Sequence, residues 1–174
     1  MHRLPELLVL CPPPTAVDRS HRATVAEGVE LPSSHRQMLA VYGAGCFDEF
    51  LWIYGEGVER EALSIEENTR AARSILSRGL PESLAEHLSG LDITPDQLVQ
   101  WGGTDNGDLL LWIPTGPVDE WPTLVLEAGR LRFSIVSLES PSMIFELLTK
   151  SLKIPIFPPD FPSTNPQFSP DPYR

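Results

Sequence analysis

The sequence predicts an α+β fold, a mainly antiparallel β-sheet packed by helices in a single domain, and three observations predict it. Helical patterns dominate the first half of the chain, β patterns cluster in the second, and an Asn106-Gly107 pair separates two apolar runs, Leu98–Trp101 and Leu109–Ile113. Helices followed by consecutive strands and a closing helix are the order expected of that class. At 174 residues and 41% apolar content, the chain is long enough for one core and short for two.

Residues 1–14 read as an arm whose Leu7–Leu10 segment supplies an edge strand. From Thr15 to Gly28 the pattern predicts a helix, with Thr15 as N-cap and Gly28 as its stop. Leu31-Pro32-Ser33 opens the next helix, capped by Ser33 or Ser34, with Met38, Leu39 and Tyr42 on one face and Gly43 at its end. Phe47 through Tyr54 reads as one strand, and Glu56–Ser64 as a loop. A third helix starts near Ser64 or Ile65, with Glu66 and Glu67 at its positive end, and turns Ile65, Ala72, Ile75 and Leu76 inward. Leu80 to Asp96 is ambiguous, with room for a short helix around Glu82–Leu88.

Asn106-Gly107 then predicts a hairpin, because both residues tolerate positive φ. Thr123–Glu127, a turn at Ala128-Gly129 and Leu131–Val136 complete an antiparallel meander in the second half. Pro141 or Ser142 opens a last amphipathic helix that buries Ile144, Leu147 and Leu148 and places Lys150 and Lys153 near its negative end. Seven of the final twenty residues are proline, so 154–174 is a tail set off from the 15–153 domain. It is extended, either draped or free, with Phe157, Phe161, Phe168 and Tyr173 available to pin it. Trp52, Trp101 and Trp112 read as core; Trp121, between Glu120 and Pro122, suits a recognition hot spot.

Charge narrows the function. The net charge of −11 argues against nucleic acid or an anionic membrane as partner. Residues 37–129 carry sixteen acids against four bases, and Gly79–Gly129 has nine carboxylates and no Lys or Arg. Such asymmetry creates a one-sided field if the acids share a face. No run approaches the ~20 apolar residues of a membrane-spanning helix. Leu7–Cys11 is shorter than the ~7–15 residues of a signal-peptide core and is cut off by Pro12, Pro13 and Pro14. Cys11 and Cys46 are neither a disulfide scaffold nor spaced for a metal, so a soluble cytoplasmic protein is expected.

Catalytic signatures fail one after another. Gly43-Ala44-Gly45 begins like a dinucleotide fingerprint but meets Asp48 where the last Gly belongs and follows a helix instead of a strand. No phosphate-binding G-x-x-x-x-G-K-[ST] and no G-x-S-x-G elbow occurs, and His2, His21, His35 and His87 are scattered without zinc spacing. No catalytic residue, metal or cofactor is therefore expected. Asp105, Asp108, Asp119 and Glu120 lie in loops that a meander brings together, where they either run acid–base chemistry, hold a hard cation or simply stabilise turns. Asp105-Asn106-Gly107-Asp108 lacks the calcium-loop register.

The order of signals resembles the SUKH superfamily. Leu31-Pro32, a helix ending in Tyr42-Gly43, and Gly45-Cys46-Phe47 leading into Phe50-Leu51-Trp52-Ile53 are similar to its opening. Trp101-Gly102-Gly103-Thr104-Asp105-Asn106-Gly107-Asp108, Leu111-Trp112, Asp119-Glu120-Trp121-Pro122 and the closing Ser142–Leu148 helix resemble its second half. The resemblance spans roughly 15–150; the bulky Trp101 and the long Glu56–Leu80 insertion depart from it. It implies a non-enzymatic α+β domain: in many bacterial members an immunity protein that neutralises a cognate toxin, often a nuclease, and in eukaryotic relatives a cell-wall-assembly regulator. It also implies that Gly43, Gly45, Asp105, Gly107, Asp108 and Trp121 determine the fold rather than catalyse.

Together these predict an immunity-type protein that blocks a basic toxin, or another basic protein partner, by direct contact. The contact face expected from the sequence comprises Asp105, Asp108, Asp119, Glu120 and Trp121, with Glu49 and Glu56 as outer members. The alternative is a regulatory scaffold that presents its sheet or tail to another protein; a small hydrolase using the loop carboxylates comes third.

Overall fold

Six strands follow one another in space as they do along the chain, and a seventh returns from the tail to close the order. In the structure, a computed structural model that describes residues 2–173, the strands are β1 (Gly45–Phe47), β2 (Leu51–Ile53), β3 (Val99–Thr104), β4 (Leu109–Trp112), β5 (Thr123–Leu126), β6 (Phe133–Val136) and β7 (Phe168–Ser169). The sheet order is β6-β5-β4-β3-β2-β1-β7 and every pairing is antiparallel. Five helices cover it: α1 (Leu4–Leu10), α2 (Ser33–Tyr42), α3 (Ile65–Leu76), α4 (Glu82–Gly90) and α5 (Ser140–Leu148). The chain is α+β, as its sequence predicts.

Alternation along the central strands explains why both faces need helices. Leu110, Trp112 and Val125 point into a core shared with α1, α2 and α5, whereas Leu111, Ile113, Leu124 and Leu126 point into a second core with Ala72, Leu76, Leu84 and Leu88 of α3 and α4. Successive residues of a strand face opposite ways, so burial on both sides demands the unbroken run Leu109-Leu110-Leu111-Trp112-Ile113. Trp101 is accommodated by a register shift between Gln100 and Gly102, and its ring stacks on Trp112 at 5.9 Å while Nε1 donates to Thr123 Oγ1 at 3.1 Å. Gly102 is required beside it: a Cβ there would meet the Trp52 carbonyl oxygen at 2.6 Å.

Several sequence expectations need correction. The expected edge strand at Leu7–Leu10 is instead part of α1, which buries Leu4 and Leu7 one turn apart against α5. A short apolar run is compatible with either element, and the neighbour decides. The helix expected over Thr15–Gly28 shrinks to one 3₁₀ turn, Arg19–His21. Its flanks are held by contacts outside the segment, Ala44 N–H to His21 C=O at 2.9 Å and Thr24 N–H to Glu56 C=O at 2.9 Å. Ile75 of α3 is 40% exposed, and Thr69 is buried on that helix. Trp52 is half-buried.

The two hairpins nearest the centre also differ from expectation. Phe47–Tyr54 is two strands joined by the three residues Asp48–Phe50, because Asp48 and Glu49 both take φ 54 and Phe50 N–H bonds Phe47 C=O at 3.1 Å. That is the primed turn favoured by hairpin twist, built here without glycine. In the β3–β4 hairpin only Gly107 has positive φ (87°), and Gly107 N–H donates to Thr104 C=O at 2.9 Å. Asn106 thus keeps an ordinary backbone, and a type I turn followed by a left-handed Gly makes the reversal.

The tail is draped, not free. Residue Ile154 and residue Phe157 are buried, Phe168 pairs with Phe47 across β7–β1, and Cys11 Sγ donates to Pro166 C=O at 3.0 Å. Met1 and Arg174, the outermost residues of the expected arm and tail, lie outside the described residues.

Candidate functional site

Three of the seven expected contact residues are committed to holding the fold. Glu56 is 2% exposed and accepts from Arg36 Nε at 2.6 Å and from Ala26 N–H at 3.3 Å, tying the 24–30 segment to α2. Asp108 is 3% exposed; it accepts from the Thr104 hydroxyl at 2.6 Å and from Ala128 N–H at 3.0 Å, locking the β3–β4 turn to the β5–β6 turn. Neither is available to a partner: Asp108 answers the buried Thr104 hydroxyl, which needs an acceptor, and Glu56 is ion-paired to Arg36.

Asp119 is a helix cap in disguise. The expected N-cap of α2 was Ser33 or Ser34; instead Pro32 occupies the cap position and Asp119 Oδ1 accepts from Ser33 N–H at 2.7 Å and Ser33 Oγ at 2.8 Å. These bonds hold the Asp119 carboxyl below its ordinary pKa, the Ser33 backbone contributing most. Asp119→Ala is expected to lower stability by about 1 kcal/mol, the worth of a lost N-cap. Asp119→Asn should recover part of it, and urea unfolding at neutral pH measures both. The folded-state pKa is depressed, so this contribution is present above the ordinary carboxylate range and fades as pH falls through the depressed value.

The remaining expected residues fall in two separate places. Glu120 is exposed in the 3₁₀ turn Val118–Glu120, and Trp121 is half-buried, with its Nε1 donating to Gly116 C=O at 3.3 Å and its ring 6.5 Å from Trp112. This loop follows β4, whereas Asp105 and Asp108 precede it, so the two groups lie at opposite ends of that strand. Four more acids of the base-free stretch, Glu82, Glu86, Asp92 and Asp96, are exposed on and just after α4. The anions of the middle segment therefore do not converge on one face.

What the fold does bring together is Glu49 and Asp105, at the end of the sheet where the β1–β2 and β3–β4 turns touch. Asp105 N–H donates to Phe50 C=O at 2.9 Å, which seats one turn on the other. Asp48, which the sequence reading passed over, joins them, and Asp48 accepts from Ser163 N–H at 2.7 Å and from the Ser163 hydroxyl. Among the described residues none of these three carboxylates is ion-paired; Asp171, across the same cleft, is held by Arg60 at 2.9 Å. The cleft has a volume of about 540 Å³ and is walled by Asp48, Glu49, Ser163, Gln167, Phe168 and Asp171.

Aromatic groups border the acids. Tyr173 is exposed, its hydroxyl donates to Glu49 C=O at 3.5 Å, and its ring lies 6.2 Å from Trp52. Hydrogen bonding to the Asp105 carboxylate, its strongest influence, raises the phenol to about 12, so the ring stays neutral. A signal for Asp48 exists in the sequence: an acidic dipeptide between Phe47 and Phe50 interrupts two apolar runs at hairpin spacing. Tyr173 carries none, since only the tail's return places it there.

Nucleophile and base candidates lie elsewhere and are buried. Burial raises the Cys11 thiol to about 11 and raises Cys46 further in the same direction, with Asp105, Glu49 and Asp48 adding to the effect. His35 is fully buried between Trp101 and Trp112, with ring centroids 5.5 and 4.8 Å away. Among the described residues no group of three His, Cys, Asp or Glu side chains is placed to hold a metal ion, and no helix is long and apolar enough to cross a membrane. No family model matches the chain, and no curated protein or solved structure gives a significant match. The site thus gathers negative charge and flanking aromatic rings on two adjoining turns.

Proposed function

We propose that the chain is a non-enzymatic, cytoplasmic binding protein of the SUKH type, an immunity protein that neutralises a cognate basic toxin. The contact is made by the tip formed by Asp48, Glu49, Asp105 and Tyr173, not by the wider face expected from sequence. One observation carries this reading: two successive carboxylates occupy left-handed backbone at φ 54, beside a third, with no cation paired to any of them among the described residues. Left-handed backbone costs a side-chain-bearing residue roughly 1–2 kcal/mol, and a glycine would avoid it. Residues held in such a conformation by the structure around them cluster at functional positions. An acidic tip complements a nuclease surface made to hold phosphates and steers encounter, while the neighbouring aromatic rings supply buried contact.

Co-expression with the product of the neighbouring open reading frame, followed by co-purification across a salt series, tests it. A one-to-one complex that weakens as salt rises, and that Glu49→Lys with Asp105→Lys abolishes, is the expected result. A tight complex indifferent to both substitutions removes the tip; no complex and no protection from toxicity removes the immunity reading. Glu49→Gly separates fold from function. It relieves the strained backbone, so stability should hold or rise by up to about 1 kcal/mol, the gain tempered by the greater freedom of glycine in the unfolded chain. Partner affinity should fall with the lost charge.

A further inference from the structure

At the other side of the tail, where α5 ends, the chain builds a second cleft of opposite character. Its volume is about 510 Å³, within the range of small-molecule sites, and its walls are Leu147, Ile154, Phe157 and Phe161 with four prolines. Lys150 and Lys153 stand in the same lining, which contains no carboxylate. They are the only lysines of a chain whose net charge is −11. Among the described residues neither is ion-paired or hydrogen-bonded through its side chain.

Two features say the cleft is preformed. Phe157 and Phe161 pack on the core residue Phe50, at 5.5 and 4.7 Å between centroids. The backbone between them is fixed by turns, Phe157 N–H to Ile154 C=O at 3.0 Å and Phe161 N–H to Pro158 C=O at 3.1 Å, and by the prolines themselves. A wall that is already ordered costs a ligand little to bind. The second feature concerns Lys150, which sits past the C-cap of α5 at φ 63, a position where glycine is favoured. Positive charge near a helix carboxyl end is favourable, but any cation in the last turn supplies it. Lysine at this strained position puts an ammonium at the mouth of an apolar cleft.

We infer that this cleft binds a small free carboxylate with an apolar body, such as a medium-chain aliphatic or aryl-alkanoic acid, with its anionic head at Lys150 and Lys153 and its body against Phe157 and Phe161. Charge complementarity selects the occupant: two cations that no carboxylate of the described residues pairs with, over an apolar interior. This site is independent of the acidic tip.

Titrating the full chain with decanoate, decanol and decyltrimethylammonium, each below its micelle threshold, tests the inference by amide shifts in two-dimensional NMR. Decanoate should move the Leu147, Lys150, Lys153, Ile154 and Phe157 amides saturably and bind about tenfold more tightly than decanol, the ratio expected of one charge-assisted contact. Decyltrimethylammonium should bind more weakly than either. Lys150→Gln with Lys153→Gln should reduce decanoate to the affinity of decanol, and Lys150→Gly should raise Tm while weakening decanoate. Equal binding of decanoate and decanol, a preference that survives both lysine substitutions, or no shift at these amides overturns it. So do shifts at these amides that depend on protein concentration without ligand, which would assign the cleft to a second copy of the chain.

Discussion

A chain that ends at Lys153 is expected not to fold. Its missing segment supplies a strand and core side chains, not an appendage. Ile154 and Phe157 are buried, and Phe168 packs at 4.9 Å from both Tyr42 and Phe47. Burial of side chains of this kind is worth about 1.5–3 kcal/mol each. Their sum, on the order of 5–10 kcal/mol, is comparable to the whole stability of a typical domain. Truncation also uncovers β1 as an unpaired edge, a template for aggregation. Circular dichroism should show no cooperative thermal transition for the truncated chain, and a melt close to that of the full chain would refute this account of the tail. Phe168→Ala is the milder form, with an expected loss of about 2–3 kcal/mol at a position already half-exposed.

The tail shows where sequence reading meets its limit. The meander, α3 and α5 are written in local patterns: unbroken apolar runs, an Asn-Gly reversal, an apolar stripe after a capping serine. What escapes is set by contacts across the chain. β7 is two residues long and exists because Phe168 finds Phe47. α1 is a helix because α5 lies beneath it. The same holds for the carboxylates. A sequence shows sixteen acids against four bases over residues 37–129, but Glu56 meets Arg36 and Asp119 meets Ser33 only after folding, 20 and 86 residues apart. Which charges remain free for a partner is therefore a tertiary property. Asp105 and Glu49 were legible as candidates; their meeting was not, because it depends on a tight turn at Asp48-Glu49 that contains no glycine.

Acid should weaken the fold between pH 6.5 and about 4 through one residue, His35. Its Nε2 lies 2.8 Å from the Tyr54 carbonyl, which only accepts, so Nε2 carries the proton. Nδ1, 2.8 Å from Ser140 Oγ, must then accept from that hydroxyl, and the ring is neutral. Complete burial drives its pKa from 6.5 down to about 4, against a smaller upward pull from the Tyr54 carbonyl. The unfolded chain takes up a proton below pH 6.5 that the folded chain refuses until about 4. The stability lost over that window is on the order of 3 kcal/mol, all of it present at neutral pH. His35→Gln keeps an amide donor and a carbonyl acceptor but cannot titrate, so its unfolding free energy should vary less with pH across the window. Carboxylates elsewhere act alike in both proteins, which makes the difference in slope the readout. His35→Leu, by contrast, orphans the Ser140 hydroxyl and the Tyr54 carbonyl and should cost about 3–5 kcal/mol at pH 7. Parallel pH profiles for wild type and His35→Gln would mean that the imidazole charges without penalty, which a ring enclosed by Trp101 and Trp112 does not allow.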